Sequence, residues 1–229
     1  KNMLQSDVKN VNKRIIFDLF REKRELTRVE VSQITGISMP SVLKAVQSLQ
    51  DANILIPTGE KDTAIGRKPL QLRFNSKAIS AFGVEYEGDR LSIGLVQIDG
   101  TVDKSISFQV AHQFDDDLAG KIISGIEEIL QHVSISDRVI AGVGIGIPGA
   151  VNPIKKEIRF APLIGIHEAQ SVSHVLQIIE TVFCWPVFIE NDVNTLAIGE
   201  TLSRKMQGKT YPADLLFISL GTGVGAGLI

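Results

Sequence analysis

Between Thr27 and Leu49 apolar residues recur at helical spacing on both sides of a single glycine. Val31 and Ile34 give a short helix one apolar face, and Val42, Leu43, Val46 and Leu49 give the next helix another. Thr27 with Glu30 has the spacing of a capping box, and Gly36 supplies the backbone freedom of a sharp stop. Ser38 stands where it can cap the second helix, with Pro40 in the first turn, where a missing N–H costs little. An earlier helix, from about Asn12 to Lys23, carries Ile15, Ile16, Leu19 and Phe20 on one side, and residues 1–12 read as a polar arm. Two helices around a tight glycine turn describe a helix-turn-helix, although two amphipathic helices of an ordinary bundle show the same periodicity. Two strands follow, at 53–57 and 70–74, with Gly66-Arg67-Lys68-Pro69 in the loop between them. A hairpin in that place is a wing. Residues 1–75 are therefore expected to form a winged helix-turn-helix, with Ser38, Ser41 and Lys44 on its second helix and Arg67 and Lys68 on its wing as candidate contacts to double-stranded DNA.

The pattern changes after a junction at 75–80. Strands are expected at 81–86, 91–98 and 101–110, the last two joined by an Asp99-Gly100 turn. Asp115-Asp116-Asp117 opens a helix whose buried side is Leu118, Ile122, Ile126, Ile129 and Leu130. A wholly apolar strand at 139–147 ends in Pro148-Gly149, and a helix at 171–183, a strand at 187–189, a helix at 194–204 and a strand at 215–220 follow. A meander followed by alternating strands and helices is the order of a layered α/β domain, here residues 76–229.

Charge sharpens the division. The whole chain has a formal net charge of −2, but residues 1–75 carry 13 Lys/Arg against 8 Asp/Glu, and residues 76–229 carry 11 against 18. A basic module on an acidic body suits selective attraction to a polyanion. At 44% apolar content the chain can bury a core, and no apolar run is long enough to span a bilayer. The single Cys184 excludes an internal disulfide and suits a reducing cytoplasm, where it reads as a core residue beside Trp185; one Cys and four scattered His offer no metal cluster.

Three loops after apolar strands carry the candidate chemistry. Gly144-Ile-Gly-Ile-Pro-Gly149 lets backbone come close to a ligand. Glu190-Asn191-Asp192 sets a carboxylate beside a carboxamide at a strand's end, a pairing suited to sugar hydroxyls, although Asn191 or Asp192 could equally cap the next helix. Gly221-Thr222-Gly223 exposes N–H groups and a hydroxyl that could cradle a phosphate. Ligands of layered α/β domains gather at the carboxyl ends of strands.

In this order, the GxGxPGxV, ENDxN and LGTGxGxG motifs (Gly144 to Val151, Glu190 to Asn194, Leu220 to Gly227) resemble the ROK family of repressors and sugar kinases. The Gly66-Arg67-Lys68-Pro69 stretch is similar to the wing of that family's NagC/XylR-type transcription factors. The resemblance implies a hexokinase/actin-like (ribonuclease H-like) fold behind the DNA-binding module. It also implies that Asp192 matches the kinases' catalytic base, that Asn191, with Pro148 and Gly149, holds a sugar, and that Gly221, Thr222 and Gly223 match a nucleotide-phosphate loop. Three departures stand out. The family's first phosphate loop, Asp-x-Gly-Gly-Thr, is here Glu85-Tyr86-Glu87-Gly88-Asp89, whose carboxylates would repel a triphosphate. Leu163 stands where an Asn is common. The chain stops where the family's domain usually continues into a Glu-x-Gly-His motif and a zinc site, so zinc is expected only in such a further region and no cofactor within residues 1–229.

The expectation is a cytoplasmic, homodimeric or higher homo-oligomeric repressor of carbohydrate-metabolism genes, with no membrane partner and no enzymatic activity. It would bind a DNA operator and respond to a sugar or sugar phosphate, with Asp192 as a vestigial base. The alternatives are a ROK sugar kinase with an added N-terminal module and a protein-binding use of the winged helix.

Overall fold

Thr27 and Glu30 form the reciprocal cap that their spacing announces. The Thr27 N–H donates to Glu30 Oε2 at 2.8 Å and the Glu30 N–H to Thr27 Oγ1 at 3.3 Å. The surrounding architecture comes from a computed structural model that describes residues 5–60, 69–110, 114–206, 214–220 and 224–229. The chain divides into two units, Lys1–Ala78 with Lys205–Lys209, and Ile79–Arg204 with Thr210–Ile229.

Among the described residues the first unit holds helices α1 (Gln5–Lys23), α2 (Arg28–Thr35) and α3 (Met39–Asp51) and strands β1 (Glu25–Thr27), β2 (Leu55–Glu60) and β3 (Leu70–Phe74). The strands form an antiparallel sheet in the order β1-β3-β2. Ile16 and Phe20 of α1, Val31 of α2, Val42, Val46 and Leu49 of α3 and Leu72 of β3 are all but sealed from solvent. Phe17 meets Phe74 edge-on at 5.6 Å, and Lys13 Nζ donates to Ser48 Oγ at 2.8 Å, tying α1 to α3. Gly36 ends α2 in the left-handed region at φ 69°, where a side chain is strained.

Several expectations change here. α1 starts at Gln5 rather than near Asn12, since no glycine or proline interrupts the chain between them, and Ile15 is exposed while Ile16 and Phe20 are buried. Ile34 and Leu43 are about half exposed rather than core, since α2 and α3 are held through Val31 and through Val42, Ala45 and Val46. Ser38 occupies the N-cap position of α3 but makes no cap hydrogen bond; its hydroxyl donates to Ser41 Oγ at 3.1 Å instead. Arg67 and Lys68 lie outside the described residues.

The second unit opens with β4 (Ile79–Glu87), two residues earlier than the sequence suggests, because Ser80 is buried within the sheet. The meander continues through β5 (Arg90–Gln97) and β6 (Val102–Gln109). After it come α4 (Asp116–His132), β7 (Val139–Ile147), short strands β8 (Ala150–Asn152), β9 (Glu157–Phe160) and β10 (Gln170–Ser171), α5 (Ser173–Phe183), β11 (Val187–Asn191), α6 (Asp192–Met206), β12 (Leu216–Leu220) and β13 (Val224–Leu228). The main sheet runs β11-β7-β4-β5-β6, with β7 parallel to both its neighbours. Alternation puts Phe82, Val84, Tyr86, Ile93, Val143, Ile145 and Ile189 on one face, packed with α4 and α5 through Ile122, Ile126, Leu176 and Ile179. Asp115 caps α4 by accepting from the N–H groups of Asp117 and Leu118 at 3.1 and 3.2 Å.

Cys184 is exposed, not core. It is the left-handed residue at φ 56° that ends α5, its N–H donating to the Glu180 carbonyl at 2.8 Å. Trp185 takes the inward place, stacked on Phe183 at 5.0 Å and Phe82 at 5.6 Å.

One nearly buried ion pair ties the start of β7 to β6. Arg138 pairs with Asp103, whose other carboxylate oxygen accepts from Gln97 Nε2 at 2.6 Å. Asp103→Ala strands the Arg138 charge, which is only 11% exposed, and is expected to cost about 2 kcal/mol in a urea unfolding curve.

Candidate functional site

The carboxyl ends of β4, β7 and β11 meet the start of α6. The reason is local. Gly146 of β7 has no side chain, and a Cβ there would stand 3.2 Å from Thr195 Oγ1 and 3.6 Å from Asp192 Cα. The bare strand lets the first turn of α6 settle on the sheet. Two more glycines dock β13 on the same helix: a Cβ at Gly225 would strike Val193 at 2.4 Å, and one at Gly227 would stand 3.1 Å from Ala197 Cβ.

Asn191 organises this corner. Its Nδ2 donates to the Gly149 carbonyl at 2.8 Å and to Asp192 Oδ1 at 3.0 Å, while its Oδ1 accepts from the Asn194 N–H at 3.0 Å. Glu190 Oε1 accepts from the Asn191 N–H at 2.8 Å and from Asn194 Nδ2 at 3.1 Å. Asp192 Oδ1 also accepts from the Val193 N–H at 2.8 Å, and Thr195 Oγ1 donates to the Asp192 carbonyl at 2.6 Å. The structure thus brings Gly149, Asn191 and Asp192 into one hydrogen-bonded group, with buried Pro148 next to Gly149. Helix α6 begins at Asp192 itself, two residues before the position expected, because Asn191 supplies the capping oxygen.

The Asp192 carboxyl is raised above its ordinary value of 3.8. Burial is the main cause and the negative charge of Glu87 a smaller one, partly opposed by the hydrogen bonds from Val193 and Asn191. Being raised, this group favours folding most when protonated, below about pH 3.8, and that contribution is lost as pH rises through its folded value. Asp192→Asn keeps an acceptor for Asn191 and Val193 and removes the strained charge. It is expected to raise the melting temperature at pH 7, with the gain vanishing toward pH 3.

The residues 85–89 stretch is the end of β4 and its turn into β5, with Glu85, Glu87 and Asp89 all exposed. Glu87 pairs with Arg90 at 3.0 Å, both well exposed. Its influence on Asp192 was not legible in the sequence, where the two are far apart; the only signal was the unusual acidity of that turn. Glu190 stands in the motif that the sequence singles out, but its bracing of Asn191 and Asn194, and any part for Thr195, was not legible there. Gly221, Thr222 and Gly223, between β12 and β13, lie outside the described residues.

In the first unit, Ser38 is exposed at the N-cap of α3, Ser41 is half-buried in its first turn and Lys44 is exposed on the side away from buried Val42 and Val46. Among the described residues no group of three or more His, Cys, Asp or Glu could hold a metal, and no helix is long and apolar enough to cross a membrane.

The second unit is thus a layered α/β domain whose polar groups converge at the carboxyl ends of parallel strands. The chain belongs to the ROK family, whose model matches residues 81–229. It is 26% identical over 225 residues to the "Xylose repressor" of Bacillus spizizenii, covering 98% of this chain and 56% of that protein. It is 19% identical over 222 residues to the "DNA-binding transcriptional dual regulator NagC" of Escherichia coli, covering 97% and 53% respectively. Among solved structures, a ROK family transcriptional regulator described as a homolog of the E. coli MLC protein superposes with a TM-score of 0.71 at 22% identity, over 97% of this chain and 55% of that one. That likeness concerns the fold. The chain spans about half the length of the curated relatives it matches.

Proposed function

We propose that this protein is a sugar-responsive, DNA-binding transcriptional repressor of carbohydrate-metabolism genes. The observation that carries the reading is the division of α3, which locks Val42, Ala45, Val46 and Leu49 into a core and leaves Lys44 exposed on the opposite face, with exposed Ser38 at its N-cap and half-buried Ser41 in its first turn. With α2, the Gly36 turn and the β2–β3 hairpin, this is the arrangement of a winged helix-turn-helix, with α3 entering the major groove and Arg67 and Lys68 acting from the wing. A homodimer would match two half-sites about one DNA turn apart, and the work would be done in the cytoplasm. The repressor names of its relatives and the basic balance of residues 1–75 support the reading.

A sugar or sugar phosphate bound by Asn191 and Asp192 beside Pro148-Gly149 is the proposed effector, in a hexokinase/actin-like domain. It can control DNA binding only by having different affinity for the DNA-competent and incompetent states. The test is an electrophoretic titration of operator duplex against candidate sugars. Salt-dependent binding that a sugar weakens supports the proposal; duplex binding that no sugar alters removes the effector role.

A second reading, a sugar kinase, draws on the raised Asp192, since a base with an elevated pKa can take a hydroxyl proton. The acidic Glu85–Asp89 turn opposes it, because a triphosphate would face three carboxylates there. ADP release with a hexose, abolished in Asp192→Asn, would establish that reading instead.

A further inference from the structure

Glu85 and Glu87 stand on the sheet face that meets α6. In β4 the burial alternates, so Val84 and Tyr86 point to the core while Glu85 and Glu87 share the opposite face. Glu85 is paired in register with Gly146, and Gly146 is the position whose missing side chain makes room for Asp192 and Thr195. Adjacent strands lie about 5 Å apart, so Glu85 stands one strand's width from Gly146, on the face over which the first turn of α6 settles. The effect of Glu87 on the Asp192 carboxyl agrees with that spacing.

The charges around this corner do not cancel. Arg90 is the positive partner of Glu87, and its single charge is already engaged there. Glu85, Glu87, Asp89 and Asp192 together outnumber it. Glu190 is turned inward onto the Asn191 N–H and Asn194 Nδ2. A sugar hydroxyl can donate to Asp192 in such a field. A phosphate carried on that same hydroxyl would bring two more negative charges against Glu87 and Asp192.

We propose that Glu87 is a specificity-determining residue that makes the effector an unphosphorylated sugar, rejecting phosphate on the hydroxyl that faces Asp192. The inference rests on the sugar-site reading above and narrows it, since a sugar or a sugar phosphate would otherwise serve equally. A dianionic phosphate about 6 Å from one carboxylate is disfavoured about tenfold even with the screening of bulk water, and more where water is excluded.

The experiment is isothermal titration of the purified protein with D-xylose, D-glucose, D-mannose and N-acetyl-D-glucosamine, and with the 1- and 6-monophosphates of the three hexoses. The same panel is repeated on Glu87→Gln and Asp192→Ala. For a hexose that binds, at least one monophosphate should be weaker by about tenfold or more, and Glu87→Gln should shrink that gap by about tenfold. Asp192→Ala should abolish binding of the free sugar. Monophosphates that all bind as tightly as their parent, or a gap that Glu87→Gln leaves unchanged, overturn the role of Glu87 while leaving a sugar site in place. If xylose alone binds, the comparison is made with D-xylose 1- and 5-phosphate, and phosphates that both bind as tightly as xylose, or a gap that Glu87→Gln leaves unchanged, overturn the role of Glu87. Failure of every sugar, free or phosphorylated, overturns the underlying site and this inference with it.

Discussion

Gly149→Ala should cost the second unit about 4 kcal/mol and abolish sugar binding with it. Gly149 has φ 141°, a region that L side chains rarely adopt. A Cβ there would lie 2.4 Å from the Phe160 carbonyl oxygen and 2.7 Å from Ala161 Cβ. Neither can retreat easily. Phe160 is paired with Ala150 across β8 and β9, and Ala161 is fully buried and exchanges hydrogen bonds with Ile166 at 2.8 and 3.0 Å. Relief would have to come from Gly149 itself, whose carbonyl holds Asn191 Nδ2 at 2.8 Å. Backbone strain and the loss of the Asn191 anchor are therefore the same event. Gly144→Ala, in the same motif, is the control: nothing lies within 4 Å of a Cβ there and no positive φ is required. Urea unfolding should show Gly149→Ala with a much lower midpoint and Gly144→Ala close to the parent. Similar midpoints for both would mean that the tight approach of Phe160 and Ala161 does not constrain the site.

The elements legible from residues were those whose own side chains set their limits. Thr27 with Glu30, Gly36 and Asp115 each fix an end by a local hydrogen bond or a local φ, so their positions survive into the structure. The meander and the apolar strand β7 were legible because alternation and a continuous apolar run report burial directly. What escaped depends on distant partners. The three residues of β1 become a strand only because β3 offers a ladder, and β8, β9 and β10 are too short to show a period. Ile34, Leu43 and Cys184 looked like core because type suggests burial, but a helix face turns outward according to what packs against its neighbours. At the candidate site, Gly149, Asn191 and Asp192 are hydrogen-bonded neighbours because they follow the ends of adjacent parallel strands, which the order of strands and loops in the sequence suggests. The approach of Glu87 needs the register of β4 on β7, which no local pattern encodes.

Removing Lys44, Arg67 and Lys68 together should weaken binding to an operator duplex about 100- to 1,000-fold near physiological salt. It should also flatten the dependence of log K on log salt concentration by about 3 per protomer, because each lost phosphate contact releases about one counterion fewer. The substitutions take residues 1–75 from 13 Lys/Arg against 8 Asp/Glu to 10 against 8, so most of the basic excess goes with them. Lys44 is exposed on the side of α3 opposite Val42 and Val46, so its removal leaves that packing alone, and a preserved helical spectrum would verify it. Ser41→Ala separates positioning from reading. If Ser41 contacts a base edge, its loss should narrow the preference for operator over random duplex while leaving the salt slope as it was. A triple variant with an unchanged slope would place the DNA contacts elsewhere. A slope that falls while affinity for operator and random sequence drops equally would confine these three side chains to the phosphates and leave base reading to the Ser38–Ser41 turn of α3.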